Sequence, residues 1–490
     1  MLNRRLHREP LAGLQGADLA KKYTRLAAFR RESLVEAAIQ ERAKQVADGN
    51  PRLLEWLNQI LEDEQVDGEV ILQQMQGKAA EFRESILAEE LLKQQPSGVR
   101  QMLGIGLVYA LPVPYSAMEA VCQGVGNFDQ GVQRAISLGL LEVSEFQGEE
   151  SYRVSRILEP LLEVPDEREE LDKTAAQTLY HLWWEVVESS TEEKAREIHR
   201  LALRGNLPEM AVRMAVFLSK DWKNQSRFRE AMQLCESTLT LTQDYRVMHQ
   251  LAKFEAQLGE VELAKEHYQQ ALANCSDAEA EEKAGIIHNW AIIHAQQGEI
   301  DQAITLYQQS LELEGRIGNV QGEAATLHNL AYIKVQQGNI DQAIALFQQS
   351  LQLKQRIGDV QGEAATLHNL AGIHAQQGEI DEAISLYQQS LKLQRRIGDV
   401  QGEAATLHQL ATIHAQQGQI NEAISLYQKS LESTQRIGDV QGEAATLQCL
   451  AIIYAQQEEI DQAIALFQQS LQLKRRIGYV QGEAVTLHNL

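Results

Sequence analysis

Proline is nearly missing from the second half of this chain: of eight prolines in 490 residues, the last is Pro208. Every later bend must therefore be made without the residue that most often breaks helices, which leaves glycine to do it. Cysteine is equally scarce. Cys122, Cys235, Cys275 and Cys449 lie far apart with no C-x-x-C spacing, which excludes a disulfide scaffold and a zinc framework and points to reduced thiols in a cytoplasmic setting. Positive charge is in deficit, with 45 Lys and Arg against 68 Asp and Glu, a formal charge of −23. That balance argues against nonspecific attraction to nucleic acid or acidic membranes and favours basic or neutral partners. Long apolar runs are absent too. The longest, residues 103–114, is too short to span a bilayer, and MLNRRLHREP at the start is basic without the apolar core of a signal peptide. With 44% hydrophobic and 23% charged residues, the composition suits a chain of several folded domains located in the cytoplasm.

Catalytic motifs are missing as well. Nucleotide hydrolysis needs a glycine-rich loop whose backbone N–H groups cradle phosphate, followed by a lysine and a magnesium-binding hydroxyl. Gly77-Lys78 is followed by Ala79, and Leu72 stands where the earlier glycine is required. There is no H-E-x-x-H and no G-x-S-x-G, so a non-enzymatic role is expected, with no cofactor held by this chain alone.

What the chain does have is a forty-residue unit repeated almost letter for letter over residues 281–490. The frame QGEAATLHNLA, then QQG, IDQAI, QQSL and RIGDV recurs from Gly322, Gly362, Gly402, Gly442 and Gly482. A fixed period of this size means a solenoid. Each unit divides into two amphipathic helices: Ala324, Leu327, Leu330 and Ala331 fall three or four apart, as do Ile340, Ala343, Ile344, Phe347 and Leu351 after a break. Gly338 ends the first helix in the left-handed conformation, and Asp341 opens the second. Gly358 ends that one, and Asp359 caps the next unit, with Glu363 in its first turn.

Leu330, Ala331, Gly338, Ala343 and Phe347 resemble the tetratricopeptide repeat (TPR). The usual period is about 34 residues; the forty-residue form with a Gly-Asp junction resembles the variety in kinesin light chains and in adaptors that organise G-protein signalling. The chain departs from the pattern by lacking a proline after the second helix. The resemblance implies a right-handed superhelix of antiparallel helix pairs, with five full units and a partial sixth over 281–490, in which one face of each first helix lines a concave groove. Carried onto this chain, that face holds His288, His328, His368, His408, Gln448 and His488, and beside them Asn289, Asn329, Asn369, Gln409, Cys449 and Asn489. The amides form a ladder able to hold an extended peptide backbone without reading its side chains. Ile292, Tyr332, Gly372, Thr412 and Ile452, three residues on from the amides, are the most diverse column of the first helix and form the expected selectivity row. Drift at a tolerant surface position is the alternative explanation. The histidines do not form a metal site, because zinc binds nitrogen at about 2.0–2.1 Å and stacked helices lie about 8–10 Å apart. A further column, His294, Lys334, His374, His414 and Tyr454, is read as packing residues with polar tips near water.

Residues before the repeats differ in kind, holding seven prolines from Pro10 to Pro165. Over 94–165 the pattern gives helices at Val99–Leu111, Ser116–Gln123 and Asp129–Leu138. Two alternating strands follow, around Leu141 and Val143 and around Tyr152 and Val154, with a turn at Gln147-Gly148-Glu149. Three helices and a hairpin make a winged helix. DNA recognition would need phosphate-binding charge on the third helix, which offers only Arg134 against Asp129.

EPLAGLQGADLAKKY at Glu9–Tyr23, GNPRLLEWL at Gly49–Leu57 and YRVSRILEPLL at Tyr152–Leu162 resemble the rear part of the STAND signalling ATPases. Over roughly residues 9–165 this implies a helical remnant of the nucleotide-binding module at 1–93 followed by the winged helix. By carry-over Pro51 would lie near adenine, while Ser155 stands where a phosphate-sensing histidine is expected. Gly49-Asn50-Pro51 reads equally as a turn between two helices. ATP or ADP contact at Pro51 requires an upstream phosphate-loop part, and the chain looks N-terminally shortened relative to that family.

Residues 166–280 read as irregular helical pairs. Ser190-Thr191-Glu192-Glu193 resembles a capping box opening a helix that ends near Gly205. Leu251, Ala252, Gly259, Ala264, Tyr268 and Leu272 form a degenerate TPR, and Leu218–Leu239 a fainter one. Trp183 and Trp184 are read as core. At the other end Ala484, Leu487 and Leu490 lack a second helix to pack on, which predicts fraying or self-association. The resulting expectation is an all-α-dominated scaffold: a TPR groove binding a protein or peptide, serving as the sensor half of a STAND-type switch. A plain interaction module and a regulator of a catalytic domain outside the chain are the alternatives.

Overall fold

The computed structural model describes residues 15–30, 32–146, 149–163, 168–186 and 191–490. Two compact units divide at Leu251/Ala252, inside the segment read as irregular helical pairs.

The first unit begins with short helices, among them Ala37–Ala47, Pro51–Leu61, Gly68–Met75 and Ala80–Lys93. Between the first two, Asp48 and Gly49 both take the left-handed conformation, and Asn50 caps the helix that follows by accepting from Arg52 and Leu53 N–H at 3.0 and 3.1 Å. Pro51 takes the first helical position, where a missing N–H costs nothing, and is exposed.

Helices Ser97–Gly106, Tyr115–Val121 and Phe128–Ser137 and the strands β1 (Val113–Pro114), β2 (Leu141–Phe146) and β3 (Glu149–Val154) form the winged helix. Its sheet order is β1-β3-β2, antiparallel throughout, with Val113 opposite Tyr152 and Val143 opposite Tyr152 from the other side. The first helix stops five residues before the expected Leu111, because the chain must turn there to bring Val113 into the sheet. Residues 147 and 148 of the expected turn lie outside the described residues. Arg134 is turned inward, paired with Asp63 and bonded to Gln95 Oε1 at 3.3 Å, so the one basic side chain of the third helix is occupied within the fold. Ser155 is buried, and its N–H bonds Leu140 O at 3.0 Å.

The helix Glu192–Arg204 is capped by Thr191, which accepts from Lys194 N–H, one residue later than the expected box would place its cap; Ser190 lies outside the described residues. Trp183 is buried, in a single π-helical turn at His181–Glu185, and Trp184 packs edge-on against Phe217 at 4.7 Å.

The second unit is a solenoid of helix pairs. After Val261–Asn274, the first and second helices of successive repeats are Ala280–Gln296 with Ile300–Ile317, Val320–Gln336 with Ile340–Ile357, Val360–Gln376 with Ile380–Ile397, Val400–Gln416 with Ile420–Ile437, and Val440–Gln456 with Ile460–Arg476, followed by Val480–Asn489. Local chemistry sets the boundaries. Asp359, Asp399 and Asp439 each accept from the N–H three residues on at 2.9 Å, and Gly358 ends the preceding helix at φ +72°. Alanines 331, 371 and 411 on first helices and 343, 383 and 423 on second helices are fully buried, which lets the paired backbones approach closely around Phe347, Tyr387 and Tyr427. In every pair a serine hydroxyl ties the two helices together: Ser310, which also reaches Glu314, donates to Ala284 O at 3.1 Å, and Ser350, Ser390, Ser430 and Ser470 donate to Ala324, Ala364, Ala404 and Ala444 carbonyls at 2.7–2.8 Å.

Candidate functional site

First helices present one face to an open cleft of about 420 Å³ lined by Tyr332, His368, Asn369, Gly372, Gln409, Thr412, Phe347 and Tyr387 among others. A neighbouring recess of about 240 Å³ takes in Ile292, Tyr307, Asn329 and Tyr332. Three sequence columns therefore meet on this face: the histidines, the amides and the variable row. Periodicity explains why, since residues four and three apart on a helix share a side.

The three columns differ in freedom. Tyr332 of the variable row is 55% exposed. Gly372 opens the floor of the cleft beneath it, where a Cβ would come 3.4 Å from the Tyr387 hydroxyl. Thr412 fills the equivalent place and hydrogen-bonds Tyr427 at 2.8 Å. The row thus sets the depth of the cleft repeat by repeat. Gln409 and Asn489 are exposed, and Ile452 is half-buried.

The histidines are engaged from both sides. Nδ1 of His288, His328, His368 and His408 lies 2.6, 3.1, 2.9 and 3.1 Å from Oγ1 of Thr326, Thr366, Thr406 and Thr446 in the next repeat. Each ring also packs edge-on against the aromatic of its own second helix, Tyr307, Phe347, Tyr387 or Tyr427, at 5.0–5.6 Å. On the far side, Nε2 of His288 and His328 meets the amides of Asn329 and Asn369 at 3.3 and 3.2 Å, and Nε2 of His408 meets Cys449 Sγ at 3.9 Å. Burial pushes the pKa of His288 and His328 down to about 4, and lowers that of His368 and His408, so the rings stay neutral. These histidines join repeats to one another, and the asparagines beside them reach the cleft already braced on one side. Asn289, in the first repeat, instead donates to Gly285 O at 2.9 Å.

Beneath the histidines runs a buried polar column that sequence patterning misses: Glu314, Lys354, Gln394, Thr434 and Lys474, each at most 6% exposed. Glu314 Oε1 accepts from Thr326 and Ser310 at 3.1 Å, and burial raises its pKa to about 7. Lys354 Nζ donates to Thr366 Oγ1 at 2.8 Å and meets His328 Nδ1 at 3.3 Å, and burial lowers its pKa. Lys474 bonds Gln448 and Thr486. Charged residues at a helix end ordinarily signal an exposed position, which is why their burial is invisible in the sequence. Gln336, Gln376 and Gln416 were also missed and line the clefts.

In the second polar column His294 and His374 pair with Glu299 and Glu379 and His414 bonds Gln419, each at the start of the second helix, while Lys334 donates to Gln337 at the end of its own helix at 3.2 Å. His488 and Asn489, on the last helix, are exposed, as are Val480, Val485, Leu487 and Leu490. In the first unit, a cleft of about 830 Å³ is bordered by Glu32, Glu36, Glu62, Asp63, Asp67 and Glu69 and does not include Pro51. Its carboxylates repel phosphate. Among the described residues no three His, Cys, Asp or Glu side chains stand together as a metal would require, and no helix is long and apolar enough to cross a membrane.

The sequence profile of the tetratricopeptide repeat matches residues 243–313, 282–356 and 362–436, and a second profile of that repeat matches 444–477. These stretches are tetratricopeptide repeats. No curated protein matches the chain in sequence. Among solved structures, a signal transduction ATPase with numerous domains (STAND protein) with a tetratricopeptide repeat sensor from Pyrococcus horikoshii is 16% identical, with 98% of this chain and 72% of that one covered at a TM-score of 0.63. It shares the fold. A Rap protein complexed with competence and sporulation factor is 15% identical over 66% of this chain and 97% of its own, TM-score 0.43. A kinesin light chain protein of nearly identical TPR-like repeats from Podosopora anserina is 21% identical over 39% and 94%, TM-score 0.34.

Proposed function

We propose that this chain, whose second unit is an array of tetratricopeptide repeats, is a non-enzymatic scaffold that holds an extended peptide or a segment of a protein along the first-helix face. The observation that carries this is the cleft in which Tyr332, Asn369, Gly372, Gln409 and Thr412 converge. Constant amides supply backbone hydrogen bonds there, and the variable row supplies pockets of differing depth, which is the division of labour peptide grooves use. The likeness in fold to a STAND protein with a repeat sensor supports the further reading that the array senses a partner for a nucleotide switch. In that reading ATP or ADP would reach Pro51 only together with an upstream phosphate-binding part, and the acidic balance of −23 disfavours nucleic acid and membranes as partners.

The experiment is selection from a random peptide display library on the full chain, followed by binding of the selected peptides to N329A/N369A and G372W chains of unchanged helicity. Loss of binding in both variants supports the groove. Undiminished binding in both refutes it.

A further inference from the structure

The buried column beneath the groove differs in hydrogen-bonding sense from one junction to the next, and that difference has a route to the surface. At pH 7.5, above its pKa of about 7, the Glu314 carboxylate is ionised and only accepts: Oε1 takes the Thr326 and Ser310 hydroxyls, and Oε2 has no partner. Thr326 has one hydroxyl proton, given to Glu314, so at 2.6 Å its oxygen must accept from His288. His288 therefore carries its proton on Nδ1. Its bare Nε2 accepts a hydrogen bond from the amide N–H of Asn329 at 3.3 Å, and the Tyr307 hydroxyl lies beside the same amide, which favours the ionised hydroxyl and so faces it with its nitrogen. With the amide nitrogen committed inward, Asn329 offers its oxygen to the recess it lines.

One repeat later the sense reverses. The Lys354 ammonium only donates, to Thr366 Oγ1 at 2.8 Å and to His328 Nδ1 at 3.3 Å, while Thr366 sends its own proton to Gly362 O at 2.9 Å. Thr366 Oγ1, 3.1 Å from Nδ1 of His328, could accept a proton there, but an N–H on Nδ1 would stand against the ammonium 3.3 Å away, whereas a bare Nδ1 accepts from it; the charge therefore favours a bare Nδ1 with the proton on Nε2. That N–H faces the amide of Asn369 at 3.2 Å, and a half-turn of the side chain about Cβ–Cγ brings the amide oxygen to it. Phe347, standing where Tyr307 stands one repeat earlier, has no hydroxyl to hold the amide nitrogen inward. Asn369 therefore offers N–H to the cleft.

We propose that Glu314 and Lys354 are positioning residues that fix opposite tautomers of His288 and His328, so that Asn329 presents an acceptor and Asn369 a donor to the groove. This deepens the peptide reading and rests on it for its consequence: the bound backbone must bring an N–H to the first rung and a carbonyl to the second. Groove polarity is then written in residues that never touch the ligand.

The test is carried out on the free full-length chain, so it stands apart from peptide binding. Histidine labelled with 15N is examined at pH 7.5 by long-range 1H–15N correlation, with His288 and His328 assigned through H288Q and H328Q, since glutamine already occupies the same column at Gln448. The wild-type spectrum should show His288 protonated at Nδ1 and His328 at Nε2. K354E/D359N copies the first junction, where Glu314 sits beside Asn319, and should move the His328 proton to Nδ1. Equal tautomers in the wild type overturn the proposal, as does an unchanged His328 in a folded K354E/D359N chain; if that variant does not fold, the wild-type comparison decides. Loss of peptide selection with these tautomers intact would sink the peptide reading alone.

Discussion

Replacing Glu458 by glycine isolates the cost of one backbone conformation, because the array contains its own controls. Between the two helices of each repeat the chain turns through a left-handed residue: Gly298, Gly338, Gly378 and Gly418 at φ +75 to +79°, but Glu458 at φ +65° in the fifth. The turn itself is unchanged. Glu459 N–H bonds Tyr454 O at 2.9 Å just as Gln419 N–H bonds His414 O at 2.9 Å. A Cβ at Gly378 or Gly418 meets nothing within 4 Å, so neither crowding nor lost packing enters the comparison. What is left is the left-handed conformation, which costs an L-residue about 1–2 kcal/mol, less the roughly 0.5–1 kcal/mol of extra freedom that glycine has to lose on folding. E458G should therefore stabilise by about 1 kcal/mol, and G418E should destabilise by about the same. Because a solenoid is held by nearest-neighbour terms, the effect is local. Hydrogen exchange in Val440–Gln456 and Ile460–Arg476 should slow about fivefold in E458G. Exchange that is unchanged or faster in E458G, or a G418E array as stable as the wild type, would refute the reasoning.

Stability should also fall with acid. His288 and His328 have folded pKa values near 4 against an ordinary 6.5, so the stability they contribute is present above pH 6.5 and lost as pH drops toward 4. The unfolding free energy from urea denaturation should decline from pH 7 to 5.5 by about 1 kcal/mol per histidine, less steeply in H288Q and H328Q. Glu314 acts in the opposite direction, since its folded pKa of about 7 lies above the ordinary 4.5: its stabilising protonated form is lost as pH rises through 7, and E314Q should flatten that loss. Removing one inter-helix serine bond by S390A should cost about 1 kcal/mol, measured by urea denaturation.

Helix boundaries in the repeats were legible because their causes are local: Gly358 is left-handed and Asp359 caps, each within a few residues of what it controls. The winged helix was legible for the same reason, apart from β1, whose two residues carry no alternation and whose pairing with β3 spans almost forty positions. The histidine column was harder. His328 is explained by Thr366, 38 residues away, and by Lys354, 26 away, and neither spacing leaves a mark on the periodicity of one helix. Thr366 sits inside AATLH, a string that recurs at 324–328, 364–368 and 404–408 and is therefore uninformative about what contacts it.

Near identity of the units turns this difficulty into an advantage. Where packing is the same from one repeat to the next, a residue that changes cannot be compensating for a changed backbone, so its chemistry reads out directly. Two columns change. The exposed one, through Tyr332, Gly372 and Thr412, alters the shape of the cleft. The buried one passes through glutamate, lysine, glutamine and threonine at 314, 354, 394 and 434 while the threonine and histidine above it stay constant. Drift alone gives no reason for charge of either sign to be tolerated in a buried site, where an unpaired ion is expensive. Polar partners explain it: each charge is held by the same Thr-His pair, and the pair must reorient to hold it. A second array built on this repeat, with the buried column permuted and the exposed row unchanged, should keep its cleft shape and change which backbone groups it binds.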